Sequence, residues 1–112
     1  MRRSYEGIGY LSVTFPNSDA AENEVCSLNS EGKVCACATG GNFIGKVESV
    51  SAGQAAVQIG GFASVNYVGT APAMGHTKLS ADGAGSVKAD ANGTAYWVVA
   101  VDTANSTAVI KL

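Results

Sequence analysis

The chain reads as all-β: a small β-barrel or sandwich of short antiparallel strands, built from a degenerate internal repeat and led by an extended N-terminal arm. Three observations predict this. Fourteen glycines and only two prolines stand among abundant alanine, serine, threonine and valine, a composition that suits short strands and tight turns. No window carries a convincing 3.6-residue apolar period, whereas several stretches alternate apolar with polar, as half-buried strands do. Finally, a shift of 53 positions lays the chain on itself without a gap, pairing Ser27 with Ser80, Gly32 with Gly85, Val34 with Val87, Ala36 with Ala89, Gly40 with Gly93 and Ala55 with Ala108. Phe43 meets Tyr96 and Ile44 meets Trp97 in the same alignment, so turns fall on turns and apolar positions on apolar positions.

At 112 residues the chain has the length of one domain with one core. Residues 1–9 lack a period and read as an arm tied down only by a partner, and residues 10–112 read as a single β domain whose repeat copies span about 25–60 and 78–112. Tyr10 to Phe15 alternates as a strand closed by Pro16, and "SDAAENEV" has the composition of one helical turn capped by Ser18 or Asp19. Lys33 to Ala38, the glycine turn "TGGN" and "FIGKVESV" read as a hairpin. Its second-copy counterpart runs from Ser86 to Ala91 through Asn92-Gly93, a dipeptide suited to a type I′ turn, into "TAYWVVAV". Further turns, Ser51 to Gln54 and Thr103 to Ser106, pass the chain into "AAVQI" and "TAVIKL". Between the copies lie one more strand, about Phe62 to Val68, and an exposed loop holding Pro72.

Charge excludes some partners. The formal net charge is −2, and no basic run extends beyond Arg2-Arg3, which argues against a binder of phosphate backbones. The first residues lack the apolar core of a signal peptide, and no stretch is long and apolar enough for a membrane helix. Three cysteines in such a chain read as free thiols of a reducing compartment.

Each motif that imitates chemistry has a plainer reading. Gly40 to Lys46 has nearly the spacing of a phosphate loop, but Val47 stands where the magnesium-binding hydroxyl belongs, and a strand follows where a helix must open. Cys35 and Cys37, two apart, fall on one face of a strand, with Val34, Ala36 and Ala38 on the other. With Cys26 and the single His76 they do not make a zinc set. No nucleophile, base and acid converge, so no catalysis and no cofactor is expected. Asn92-Gly93-Thr94 and Asn105-Ser106-Thr107 match a glycosylation acceptor and are explained as turns. Tyr96 and Trp97, neighbours in a strand, face opposite ways, so one fills the core while the other lies on a surface.

The order of "EVCSLNSEGKV", "FIGKVESVSAGQAAVQIGG", "FASVNYVGTAPAMGHTKLSADGAGSVKA" and a terminal "YWVVAVDTANSTAVIKL" resembles the capsid decoration, or cement, proteins of tailed bacteriophages, over nearly the whole chain from about Val13. The resemblance implies a non-enzymatic structural protein, made in the host cytoplasm, that docks on the outer surface of the virion head. It also implies a homotrimer bridging major capsid subunits, with no direct contact to nucleic acid or membrane. Under it, Arg2, Arg3, Tyr5, Ile8 and Tyr10 are the expected capsid contacts, and Phe62, Val65, Tyr67, Tyr96 and Trp97 the expected contacts between copies. A different class also fits the sequence: a carbohydrate-binding or adaptor β-module of a phage fibre, tail or surface protein.

Overall fold

The structure, a computed structural model, describes residues 10–112, all-β and without a helix among them. Ten strands follow in order: β1 (Leu11–Pro16), β2 (Val25–Leu28), β3 (Val34–Ala36), β4 (Gly45–Ser51), β5 (Gln54–Gly60), β6 (Phe62–Asn66), β7 (Gly75–Ala81), β8 (Val87–Ala89), β9 (Thr94–Asp102) and β10 (Thr107–Lys111). They form two antiparallel five-stranded sheets that pack together, ordered β1-β5-β4-β2-β3 and β6-β10-β9-β7-β8. Each sheet is one half of the chain, and both halves use the same order.

The duplication extends to hydrogen-bond register. Cys26, Ser27 and Leu28 oppose Ala36, Cys35 and Val34; 53 residues on, Leu79, Ser80 and Ala81 oppose Ala89, Lys88 and Val87. The β2–β3 turn is closed by Asn29, whose Oδ1 accepts the amides of Glu31 and Lys33, and Asp82 does the same for Ala84 and Ser86. Register shifts interrupt β4 between Val47 and Ser49 and β10's partner β9 between Val98 and Ala100, so both halves bulge at the same place. In each half a single parallel bridge, Asn17 to Val34 or Tyr67 to Val87, brings the first strand onto the last, so each sheet curls toward closure. The strands β1 and β6 also correspond, but at a shift of 50: Val13 opposes Val57 as Ala63 opposes Ile110.

Several local expectations are corrected. Strands β3 and β4 do not form a hairpin, nor do β8 and β9, because β2 and β7 lie between them in their sheets. The two inserted strands are short or weakly alternating in sequence, so no local pattern separates the glycine turns beside them from hairpin tips. Asn92 and Gly93 keep negative-side backbone rather than a type I′ turn. That turn occurs instead at Ala52-Gly53, with φ of 52° and 76°, where it joins β4 to β5. The "SDAAENEV" stretch forms no helical turn; Asn17 holds it by exchanging hydrogen bonds with the amide and carbonyl of Ala20. The loop after β6 is largely exposed, as expected, with Pro72 itself buried.

Two apolar clusters fill the body. Ala20, Cys26, Val34, Val47, Ala55 and Val57 fill the first half. The second gathers Ala63, Val65, Tyr67, Leu79, Ala81, Val87, Val98, Ala108 and Ile110, together with Val25, Cys37 and Phe43 from the first half. The second core is therefore completed by the first half, and that shared cluster unites the two sheets.

Candidate interaction surface

Alternation along β6, β10, β9 and β7 sends Ala63, Ile110 and Val98 inward and the residues next to them outward. Register then lines up Phe62, Lys111, Trp97 and His76 as one row across four strands on the outer face of the second sheet. Trp97 is 54% exposed, and its indole stacks on the His76 imidazole with centroids 4.8 Å apart and planes 25° from parallel. Exposed Met74 lies two residues from His76. Lys111 and Lys78 supply cations, and the only carboxylate on these four strands is Asp102 at the end of β9, which is occupied by the turn amides of Ala104 and Asn105. The face combines a rigid aromatic platform with positive charge, suited to a flat partner or a ring that carries negative groups.

The expected contact residues separate here. Trp97 is on the surface and Tyr96 is turned inward, as their alternation requires. Tyr96, half-buried, stacks on Phe43, a contact within the chain's own interior. Val65, 2% exposed, and Tyr67, 7% exposed, are core residues of the second half, and the expectation that they touch another subunit is corrected accordingly. Phe62 is half-buried at the end of the aromatic row. Tyr10 is exposed where β1 begins, whereas Arg2, Arg3, Tyr5 and Ile8 lie outside the described residues. His76, Lys111 and Met74 went unassigned in the sequence; register across the sheet places them beside Trp97, and no linear spacing signals it.

Comparison of the chain with protein families, with curated proteins and with solved structures finds no match.

The motifs that imitate chemistry have structural tasks. The Gly40 amide donates to the Ala81 carbonyl at 2.8 Å and the Gly41 carbonyl accepts the Ala81 amide at 3.0 Å, so the would-be phosphate loop is spent on the second half. Lys46 extends its Nζ to the Ser64 carbonyl at 2.6 Å, and burial lowers its pKa. The cysteines are free, but they do not share a strand face: Cys37 lies beyond the end of β3 and is buried in the second cluster, while Cys35 is half-buried. Burial pushes the thiol of Cys26 up to about 12 and that of Cys37 to about 11, which keeps both protonated and inert at neutral pH. Among the described residues no group of three or more His, Cys, Asp or Glu gathers as a metal set. A shallow depression of about 190 Å³ on the first sheet is lined by Thr14, Ser49, Ser51, Gln54 and Ala56, none of them titratable.

Proposed function

We propose that this chain is a non-enzymatic decoration, or cement, protein of a tailed-bacteriophage head. In this reading it docks on the outer surface of the capsid and bridges major capsid subunits. The observation that carries it is the aromatic and cationic outer face around Trp97, held on a rigid sheet, in a chain whose residue order resembles that family. Large exposed apolar groups on rigid strands favour protein surfaces as partners, since little conformational entropy is lost on docking. Self-association, as a homotrimer, multiplies weak individual contacts into one strong attachment. Attachment involves residues 1–9 and Tyr10, the virion is the site of action, and neither nucleic acid nor membrane is contacted. Mixing the purified protein with expanded bacteriophage shells and imaging them by electron microscopy tests this reading: regular surface density is expected, and bare shells across the tested panel overturn it. A chain lacking residues 1–9 is expected to fold and to leave shells bare; full decoration by it removes the arm from the attachment.

The Trp97–His76 stack favours one second reading, a module that binds carbohydrate by laying a sugar ring on the indole. Sugar-dependent quenching of Trp97 fluorescence, with a sugar-dependent rise in melting temperature that Trp97→Ala loses, supports that reading; no response across a glycan panel removes it.

A further inference from the structure

The two halves of the chain are joined by an asymmetric contact whose two sides are each present a second time, with no such contact among the described residues. The donor side belongs to the first sheet. On its outer face Gln58 pairs with Lys46 across β5 and β4; Gln58 Nε2 donates to the Phe62 carbonyl at 2.7 Å and Lys46 Nζ to the Ser64 carbonyl. The acceptor side belongs to the second half: the outer edge of β6, with those two carbonyls, together with Ala81, which pairs with the Gly40–Gly41 backbone, and Gly85, whose carbonyl accepts the Val25 amide.

Register identifies both repeats. Lys111 and Trp97 of the second sheet occupy the places of Gln58 and Lys46, since Lys111 opposes Trp97 on β10 and β9 as Gln58 opposes Lys46 on β5 and β4. The second half thus carries a donor face, and it is the exposed aromatic row. On the first half, Ser12 and Thr14 of β1 take the places of Phe62 and Ser64, Leu28 that of Ala81, and Gly32 that of Gly85. Among the described residues no bond from outside their sheet is made to the Ser12 or Thr14 carbonyl, whereas both β6 counterparts are capped by Gln58 and Lys46. Leu28 is 40% exposed where Ala81 is fully buried, and Leu11 beside the β1 edge is exposed as well.

Charge agrees with this arrangement. Residues 10–61 hold five carboxylates and two lysines, whereas the residues from 62 to the end hold three of each. Glu48 accepts the Ser12 hydroxyl at the mouth of the acceptor edge, and Asp19 holds the Ala36 amide of neighbouring β3. A cationic donor face around Lys111 and Lys78 meets an acidic acceptor face.

We infer that copies of this chain associate head to tail, the Trp97–Lys111 face of one docking on the Ser12–Leu28 face of the next, in the manner by which the first half docks on the second within each chain. Such a contact is heterologous: each copy retains one free donor and one free acceptor until a ring closes or a filament grows. The inference rests on the junction inside the chain and not on capsid attachment, so it survives bare shells, and decoration by a monomer would leave capsid attachment intact while overturning it together with the proposed homotrimer.

Sedimentation of the full chain from micromolar to millimolar concentration tests it, with the emission of Trp97, the only tryptophan, as a second readout. Association with a blue shift is expected; a monomer throughout that range overturns the inference. Trp97→Asp removes the donor and Leu28→Asp the acceptor, and each alone is expected to weaken self-association at least tenfold. Mixed in equal amounts they form a capped dimer and nothing larger, because each supplies the face the other lacks. Failure of the mixture to pair, or undiminished association of either variant alone, overturns the head-to-tail geometry. Lys111→Glu serves as the alternative donor variant, and matching circular dichroism and melting confirm that every variant is folded.

Discussion

Tyr96 lies flat on Phe43, ring centroids 4.8 Å apart and planes 9° from parallel, and its hydroxyl donates to the Phe43 carbonyl at 3.2 Å. One residue comes from each half, so this pair fastens the two sheets at the boundary of the shared cluster. Burial raises the Tyr96 phenol pKa, and the nearby Cys37 thiol adds to the rise. Phe43→Ala is expected to cost about 3–4 kcal/mol, the usual range for deleting a buried ring. Tyr96→Phe, which keeps the ring and loses one hydrogen bond, is expected to cost about 1 kcal/mol. Denaturant unfolding measures both.

Gly45 and Gly53 are expected to respond differently to alanine. A methyl on Gly45 would overlap the backbone carbonyl oxygen of Gln58, and that strand cannot yield without breaking the sheet. The expected loss for Gly45→Ala is roughly 3 kcal/mol or more, or failure to fold. Gly53, at φ 76° with open space around it, pays only for its backbone region, about 1 kcal/mol in Gly53→Ala. Melting of the two variants separates close approach from turn geometry.

The thiols predict both labelling order and alkaline behaviour. In the native protein a maleimide is expected to modify Cys35 well before Cys26 and Cys37, and denaturant is expected to expose all three. Because folding raises the pKa of Cys26 from 9.0 to about 12 and of Cys37 to about 11, the protonated thiols contribute stability that is fully present below pH 9. That contribution falls as pH rises through the folded values, at a slope of at most about 1.4 kcal/mol per pH unit and thiol. Cys26→Ala is expected to flatten the alkaline decline in a pH series of denaturant midpoints.

Two turn carboxylates predict the acid limb. Asp90 accepts the Ser80 hydroxyl at 2.7 Å and the Asn92 amide, and Asp102 accepts from Asn105 and Ala104, so hydrogen bonds lower both pKa values below 3.8. Depressed carboxyls contribute stability above their unfolded pKa and lose it as pH falls through the folded one. Asp90→Asn is therefore expected to leave the alkaline limb unchanged and to shallow the loss below about pH 4, as read from melting against pH.

Legibility followed the range of the signal. Alternation exposed β1, β5, β6 and β10, and the 53-residue shift recovered the Ser27–Ser80 register, because both are carried by neighbouring residues. Strands β2 and β7 were missed: each contributes mainly by lying between two others, which no local pattern reports. The repeat alignment placed Phe43 against Tyr96 as equivalents, whereas the structure stacks them on each other. Loops of unequal length cause this. Val47 and Val98 correspond at a shift of 51, because the path from Val34 to Val47 is two residues longer than that from Val87 to Val98, and the turn from β9 to β10 is two residues longer than that from β4 to β5. Of the surface, opposite facing shows that one of Tyr96 and Trp97 lies outside; that it is Trp97, and that His76 and Lys111 flank it, only the sheet decides.

By itself the sequence determined the all-β class, the duplication and the positions of most turns, since composition, period and glycine spacing act over a few residues of backbone. Only the tertiary structure decided which strands became neighbours, and hence that "VCACATGGNFIG" would clasp the second half instead of turning a hairpin. The same choice buried Val65 and Tyr67, turned Tyr96 inward onto Phe43, left Trp97 outside beside His76 and Lys111, and capped the β6 edge with Gln58 and Lys46. Strand order is set by burial summed over both halves, where an edge or face becomes available only after everything else has packed.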